Sequence, residues 1–181
     1  MKIFLKWFAV PLLIAVVASI LCVIDALIGG LFVNGGSFMW VAFAIWTIFY
    51  GASVKERIKG FIGVLVGFLS AIIMMLITNS FSANIYTISL STLLGVFLVN
   101  FVVMFMDKAE KVWLNSVTGA FAGIFLTFSG FGKGLSPIVS CNQFFVTLGI
   151  LCVYTILGLI CGFISIWVTA KIKNRLNQEG K

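Results

Sequence analysis

The residue best suited to chemistry in this sequence is Asp25, an acidic side chain inside a long apolar run. An ionisable group in such a position is costly in lipid and often marks a proton site, an ion pathway or a paired charge. Because no lysine or arginine lies inside an apolar run to pair with it, protonation is one way to neutralise Asp25. Alternatively, Gly29 and Gly30 end the helix just beyond Asp25 and admit water. A functional and a structural role are therefore both open.

Two asparagines are further candidates for a pathway through a membrane. Asn34 lies in a glycine-rich segment, where exposed backbone groups would coordinate a solute if the segment entered the outer leaflet. A surface loop is the alternative for this segment. Asn100 lies within a later apolar run, where it either hydrogen-bonds to a neighbouring helix or lines a pore. The predicted pathway residues are thus Asp25, Asn34 and Asn100.

Other reactive constellations are lacking in the sequence. Its four cysteines show no Cys-x-x-Cys spacing and it has no histidine, so we predict no metal site. It has no pair of carboxylates within the apolar runs, and no Ser-x-x-Lys, Gly-x-Ser-x-Gly or Walker-type motif. We therefore expect that the protein is not an enzyme and binds no cofactor.

The composition points to lipid as the solvent of this chain. Of its 181 residues, 62% are hydrophobic and 9% are charged, whereas globular domains carry about 25% charged residues. A small soluble domain has too much surface to hide so many apolar side chains. The net charge of +7 would suggest nucleic acid in a soluble protein. Here the basic residues gather at the ends of apolar runs, so we predict contact with membrane lipid and no nucleic-acid binding.

Six apolar runs are long enough to cross a bilayer, since a crossing takes about 17–25 residues. They cover residues 8–28, 38–54, 60–77, 85–106, 112–128 and 144–170. The runs are continuously apolar rather than alternating, which favours helices over a β-barrel. The predicted fold is all-α, a polytopic transmembrane helix bundle of about six spans. It comprises a membrane domain over residues 1–170 and a short basic tail over residues 171–181.

Basic residues and tryptophans predict how these spans lie in the membrane. With six spans, eleven lysines and arginines fall on one side and only Lys133 falls on the other. The positive-inside rule then places both termini in the cytoplasm. Trp167 and three other tryptophans lie near span ends, as is typical of the interfacial aromatic belt. Trp46 is the exception and is expected to pack inside the bundle.

Glycines at four-residue spacing form three stripes. Such spacing creates a flat helix face that lets another backbone approach closely in lipid. The glycines are Gly63, Gly67, Gly119, Gly123, Gly158 and Gly162. Tight helix packing is the structural interpretation, and lining a narrow pore is the functional one. A basic turn precedes each of the first two stripes, which indicates a parallel repeat of a two-helix hairpin, with chance similarity as the alternative.

One segment resembles a known family. Residues 117–130, which read VTGAFAGIFLTFSG, are similar to a glycine- and threonine-bearing segment of the YcdZ-type family of small multi-pass bacterial inner-membrane proteins. The likeness extends from the second apolar run onward. The sequence departs from the family at Val117 and Thr118, where the family tends to have a proline. The resemblance implies several spans in a bacterial inner membrane, and it implies no substrate and no functional residue.

These observations lead to two expectations for function. The first is a channel or transporter for a small solute or ion, formed by a homo-oligomer because six short-looped helices leave little room for a wide pore. The second is a non-transporting scaffold, accessory subunit or regulator of a membrane complex, with the basic tail touching anionic lipid or a partner.

Overall fold

The computed structural model describes residues 2–32, 37–79, 84–85, 88–105, 116–131 and 134–178, and these are mostly helical, with six helices. The helices are α1 (Lys2–Phe32), α2 (Met39–Ile48), α3 (Val54–Thr78), α4 (Leu90–Met104), α5 (Val117–Phe131) and α6 (Cys141–Gln178). Two short strands, β1 (Asn84–Ile85) and β2 (Ile88–Ser89), pair antiparallel between α3 and α4.

Among the described residues, three helices are long and apolar enough to cross a membrane. These segments are Val10–Phe32, Val54–Thr78 and Cys141–Ile172. A helix rises about 1.5 Å per residue, so each exceeds the hydrocarbon thickness of about 30 Å. Length and composition therefore indicate a membrane protein. The other three helices are apolar but shorter, because α2 has 10 residues and α4 and α5 have 15 each.

The boundary between α2 and α3 differs from the prediction. The sequence predicted a span over residues 38–54 and a charged turn over residues 55–59, but α2 ends at Ile48 and α3 begins at Val54. Ser53 and Glu56 form a capping box, in which Glu56 N–H donates to Ser53 Oγ at 3.3 Å. This cap makes the charged segment the first turns of a helix. Gly51 has a φ of +87°, which allows the chain to turn just before α3 begins.

Two further boundaries lie beyond the predicted ones. The α1 helix continues through Gly29 and Gly30 to Phe32, so the glycine pair does not end it. The α6 helix begins at Cys141, where Gln143 N–H donates to the Ser140 side chain at 3.2 Å. It then runs for 38 residues, into the segment predicted as a polar tail. At about 57 Å, α6 is much longer than the hydrocarbon thickness.

The helices belong to two compact units. We call Met1–Ala52 with Ile156–Lys181 the terminal unit, and Ser53–Thr155 the central unit. In the central unit, α3, α4 and α5 share one buried core, which is formed by Ala71, Met74, Val99, Val103, Ala120 and Ile124. In the terminal unit, the buried apolar side chains include Leu21, Val41, Ala42, Ile45 and Trp46, so Trp46 packs inside as expected.

In the central unit, α3 and α5 run in the same direction. Gly63 lies against Ser116 and Gly119, and one turn later Gly67 lies against Ala120 and Gly123. Because the residue numbers increase together in the contacting pairs, the two helices are parallel. The α4 helix runs antiparallel to α3, since Gly95 near the start of α4 lies against the end of α3.

Candidate functional site

Asp25 holds the start of α2 in the terminal unit. Its Oδ1 accepts a hydrogen bond from the Phe38 N–H at 2.9 Å, and its Oδ2 accepts one from Ser37 Oγ at 2.7 Å. The Asp25 side chain is only 5% exposed. The N-terminus of a helix carries a partial positive charge that a carboxylate stabilises. Asp25 therefore acts as a cap supplied by α1, and a role in a pathway stays a prediction.

The other two predicted pathway residues contribute less to a site. Asn34 lies outside the described residues. Asn100 is partly buried on α4, and its Nδ2 donates to the Val96 carbonyl one turn earlier at 2.7 Å. This amide thus bonds to its own helix. Asn100 belongs to the central unit and Asp25 to the terminal unit.

The glycines of α3 and α5 meet each other inside the central unit. A Cβ placed on Gly63 would lie 2.7 Å from the Ser116 carbonyl oxygen, and one on Gly119 would lie 2.6 Å from the Gly60 carbonyl oxygen. The next turn repeats this arrangement, with Gly67 over the carbonyl of Ala120 and Gly123 over the carbonyl of Val64. The contact is reciprocal, because Gly63 of α3 meets the carbonyl of Ser116 while Gly119 of α5 meets the carbonyl of Gly60. It therefore has a local two-fold symmetry.

The third glycine pair lies on α6 in the terminal unit. A Cβ on Gly158 would overlap the Ala42 carbonyl oxygen and lie 3.0 Å from Ile45 Cβ, so α2 crosses α6 at this position. Gly162, one turn later, is also buried. The close approach explains how a helix as short as α2 is held, because little side-chain volume separates the two backbones.

Three buried hydroxyls among the described residues bond to their own helix. Thr127 Oγ1 donates to the Gly123 carbonyl at 2.7 Å, Thr147 Oγ1 to the Gln143 carbonyl at 2.8 Å, and Ser165 Oγ to the Cys161 carbonyl at 2.8 Å. A hydroxyl paired in this way is satisfied without a neighbouring helix or water. These side chains therefore need no further partner.

Thr155 on α6 departs from this pattern. Its side chain is 0% exposed, and Oγ1 has no hydrogen-bond partner within the described parts of the chain. Ser136 Oγ and Gln143 Oε1 in the same unit share this property among the described residues. A buried polar group left unpaired costs about 1–3 kcal/mol, so such groups usually bond to ordered water or a ligand. These three atoms are buried polar groups of the central unit that have no partner among the described residues.

The sequence interpretation missed this polar face of α6. Gln143, Thr147 and Thr155 are separated by multiples of four residues, so they lie on one side of the helix. The spacing is visible in the sequence, but threonine is ordinary in membrane helices and usually bonds to its own backbone. The missing partner of Thr155 is a property of the folded chain, and it separates Thr155 from the buried hydroxyls that bond to their own helix.

Grooves on the described surface include two that are mostly apolar. In the terminal unit a groove of about 410 Å³ is lined by Ile14, Phe43, Trp46, Thr47 and Tyr50. Its one described threonine bonds to its own helix, since Thr47 Oγ1 donates to the Phe43 carbonyl at 2.8 Å. In the central unit a groove of about 150 Å³ is lined by Ser70, Ile73, Ile77, Leu98, Val99 and Val102. Such walls suit hydrocarbon better than a polar solute.

No group of three or more metal-ligating side chains occurs within the described ranges. The four cysteines are free thiols. Comparison of the chain with protein-family models, with curated proteins and with solved structures gave no match.

Proposed function

We propose that this membrane protein is a channel or transporter for a small solute or ion. The observation that carries the proposal is the buried Thr155 hydroxyl, which lacks a partner among the described residues. A water molecule or a polar solute in a pathway beside α6 would satisfy this group and remove its desolvation cost. The polar face of α6 that bears Thr155 would then form one wall of that pathway.

The chemistry of this face favours an uncharged polar solute or water. Gln143, Thr147 and Thr155 carry amide and hydroxyl groups, which both donate and accept hydrogen bonds and carry no charge. A dehydrated ion would require a stronger compensating field, such as rings of carbonyls or carboxylates. The proposed solute is therefore small, polar and neutral, with a monovalent ion as the second choice.

We further propose six crossings of a bacterial inner membrane with both termini in the cytoplasm. The parallel register of α3 and α5 supports this topology, because two parallel neighbours begin on the same side of the membrane. The basic residues before and within their first turns then share that side, which agrees with the positive-inside rule. Membership of the YcdZ-type family, suggested by residues 117–130, is part of the same proposal.

A homo-oligomer remains part of the proposal, but the glycine stripes of α3 and α5 do not supply its interface. The two stripes pack against each other within one chain. An oligomer would have to use other exposed apolar faces, such as that of α4, where Phe97, Phe101 and Phe105 form a continuous ring ladder with centroid separations of 6.0 and 5.1 Å.

The test is flux into proteoliposomes that contain the purified full chain and a panel of neutral polar solutes and monovalent ions. The key variant is Thr155→Val, which keeps the side-chain shape and removes the hydroxyl. The matched control is Thr127→Val, since the Thr127 hydroxyl bonds to its own helix. We expect Thr155→Val to reduce flux of one solute several-fold and the control to retain it. No flux for any member of the panel from folded, inserted protein would reject the proposal.

A scaffold or accessory subunit is the alternative function, and the length of α6 is the observation that favours it. Its 38 residues extend past the apolar segment Cys141–Ile172 and offer a helical surface outside the lipid. Under this alternative a stoichiometric partner would co-purify in mild detergent and would be lost on truncation after Ile172. Flux in the absence of any partner would instead favour transport.

A further inference from the structure

Three exposed side chains at the end of α6 lie on one face of the helix. Trp167, Lys171 and Arg175 follow each other at four-residue intervals, and all three are exposed. The Lys171 Nζ lies 4.7 Å from the centroid of the Trp167 ring, in a cation–π contact. Trp167 itself is 55% exposed, so one ring face and the ammonium group both remain accessible.

Apolar side chains continue this face toward the middle of the helix. Ile160, Phe163 and Ile164 are exposed, and they lie one to two turns before Trp167. The apolar segment of α6 ends at Ile172, so Trp167 lies where hydrocarbon gives way to the headgroup region. The order along the helix is therefore apolar chain, tryptophan, then two cations. This is the order of acyl chain, glycerol and phosphate in a phospholipid.

Charge complementarity identifies the headgroup. The described part of α6 contains no acidic residue, and the nearest acidic residue in the sequence is Glu179, four residues after Arg175. Arginine binds phosphate through a planar fork of donors, and lysine binds it as a compact charge. An acidic protein segment would also satisfy the two cations, but it would leave the adjoining apolar face without an occupant. A phospholipid covers both parts.

We propose that Trp167, Lys171 and Arg175 form a binding site for one anionic phospholipid. The acyl chains lie along Ile160 and Ile164, and the phosphate is held between the two cations beside the indole ring. The site is independent of any solute pathway, so it holds for a transporter and for a scaffold alike. Its function would be to fix the depth and tilt of α6 in the bilayer.

A second basic pair in the chain provides a matched control. Lys55 and Lys59 have the same four-residue spacing on α3, but four residues before Lys55 the chain has Gly51, which precedes the helix, rather than a tryptophan. Each pair has one acidic residue nearby in the sequence, Glu56 next to Lys55 and Glu179 four residues after Arg175. A diffuse attraction between basic residues and an anionic surface would treat both pairs equally, whereas the proposed site uses only the pair on α6.

The experiment is native mass spectrometry of the detergent-purified full chain, titrated with phosphatidylglycerol or with phosphatidylcholine of the same acyl chains. We expect the first phosphatidylglycerol to bind at least about fivefold more tightly, since one basic side chain at an anionic surface contributes about that factor. Lys171→Gln with Arg175→Gln should abolish this preference. Lys55→Gln with Lys59→Gln should retain it. Trp167→Leu should weaken it while both cations remain.

Three outcomes would overturn the proposal. One is equal affinity of the wild-type chain for both lipids. Another is equal loss of the preference in the two double variants, which would indicate diffuse charge. The third is binding of a polyglutamate peptide that requires Lys171 and Arg175 while phosphatidylglycerol does not compete, which would indicate an acidic protein partner. The single variants Lys171→Gln and Arg175→Gln, each expected to lose part of the preference, guard against misfolding of the double variant.

Discussion

Asp25 Oδ1 accepts a hydrogen bond from the backbone N–H of Phe38 at 2.9 Å, which joins α1 to the first residue before α2. The α2 helix has only 10 residues, and an isolated helix of that length is marginal because nucleation is costly. The stability of α2 must therefore come from its neighbours. These are the Asp25 carboxylate of α1 and the α6 backbone at Gly158, which lies close to α2. A buried acid in a membrane helix thus has a structural partner in its own unit.

The first prediction concerns this cap. Asp25→Ala should lower the free energy of unfolding by about 1–2 kcal/mol, the usual cost of losing a helix cap. Asp25→Asn should cost less, because its amide oxygen still accepts the Phe38 N–H, while the charge and the hydrogen bond accepted from Ser37 Oγ are lost. The measurement is thermal or denaturant unfolding in detergent, followed by circular dichroism. Ser37→Ala, which removes one of the two described bonds, should fall between the wild type and Asp25→Ala. Equal stability of Asp25→Ala and wild type would show that the cap contributes nothing.

The second prediction concerns the crossing of α3 and α5. Gly67→Ala and Gly123→Ala should each destabilise the chain by about 1–3 kcal/mol, because the new Cβ would overlap a backbone carbonyl of the partner helix. Gly30→Ala is the matched control, since nothing lies within 4 Å of a Cβ at that position of α1. The control should be neutral or slightly stabilising because alanine is the better helix former. Unfolding in detergent measures all three, and a neutral Gly67→Ala would contradict the close crossing.

The third prediction concerns the buried hydroxyls. Thr155→Val should leave stability unchanged or raise it slightly, since it removes a polar group that has no partner among the described residues. Thr127→Val should lower stability by about 1 kcal/mol, because it removes a hydroxyl that bonds to the Gly123 carbonyl. Parallel unfolding curves of the two variants provide the measurement. A loss of stability in Thr155→Val comparable to that in Thr127→Val would mean that a group outside the described residues, such as a bound water molecule, bonds to the Thr155 hydroxyl in the folded protein.

The fourth prediction concerns topology within the central unit. Single cysteines at Ser53 and Ser116, introduced after the four natural cysteines are replaced, should react with a membrane-impermeant maleimide from the same side. A cysteine at Asn79, beyond the other end of α3, should react only from the opposite side. Right-side-out and inverted vesicles distinguish the two cases. Labelling of the Ser53 and Ser116 positions from opposite sides would be incompatible with parallel, membrane-crossing α3 and α5.

Several features of the fold could be predicted from the sequence because they depend on local properties. The all-helical class follows from long, continuously apolar runs, since backbone groups in lipid must pair within their own segment. Boundaries were less predictable. The charged residues 55–59 resemble a turn in composition, yet the local pairing of Ser53 with Glu56 starts a helix there. Hydropathy does not reveal this start, whereas the Ser-x-x-Glu spacing of Ser53 and Glu56 is a sequence signature of a helix N-terminus that the prediction did not use.

The amino-acid sequence alone determined that this chain requires lipid and folds as helices, and its glycine spacing indicated where backbones approach. The tertiary structure decided which partners those positions meet. Gly63 contacts Gly119 within the same chain, and Asp25 accepts a hydrogen bond from the Phe38 N–H. Thr155 is buried without a partner among the described residues. The physical reason is that backbone donors and acceptors are alike at every position in a sequence. Only folding determines which of them remain unpaired and what side chain lies close enough to bond to them.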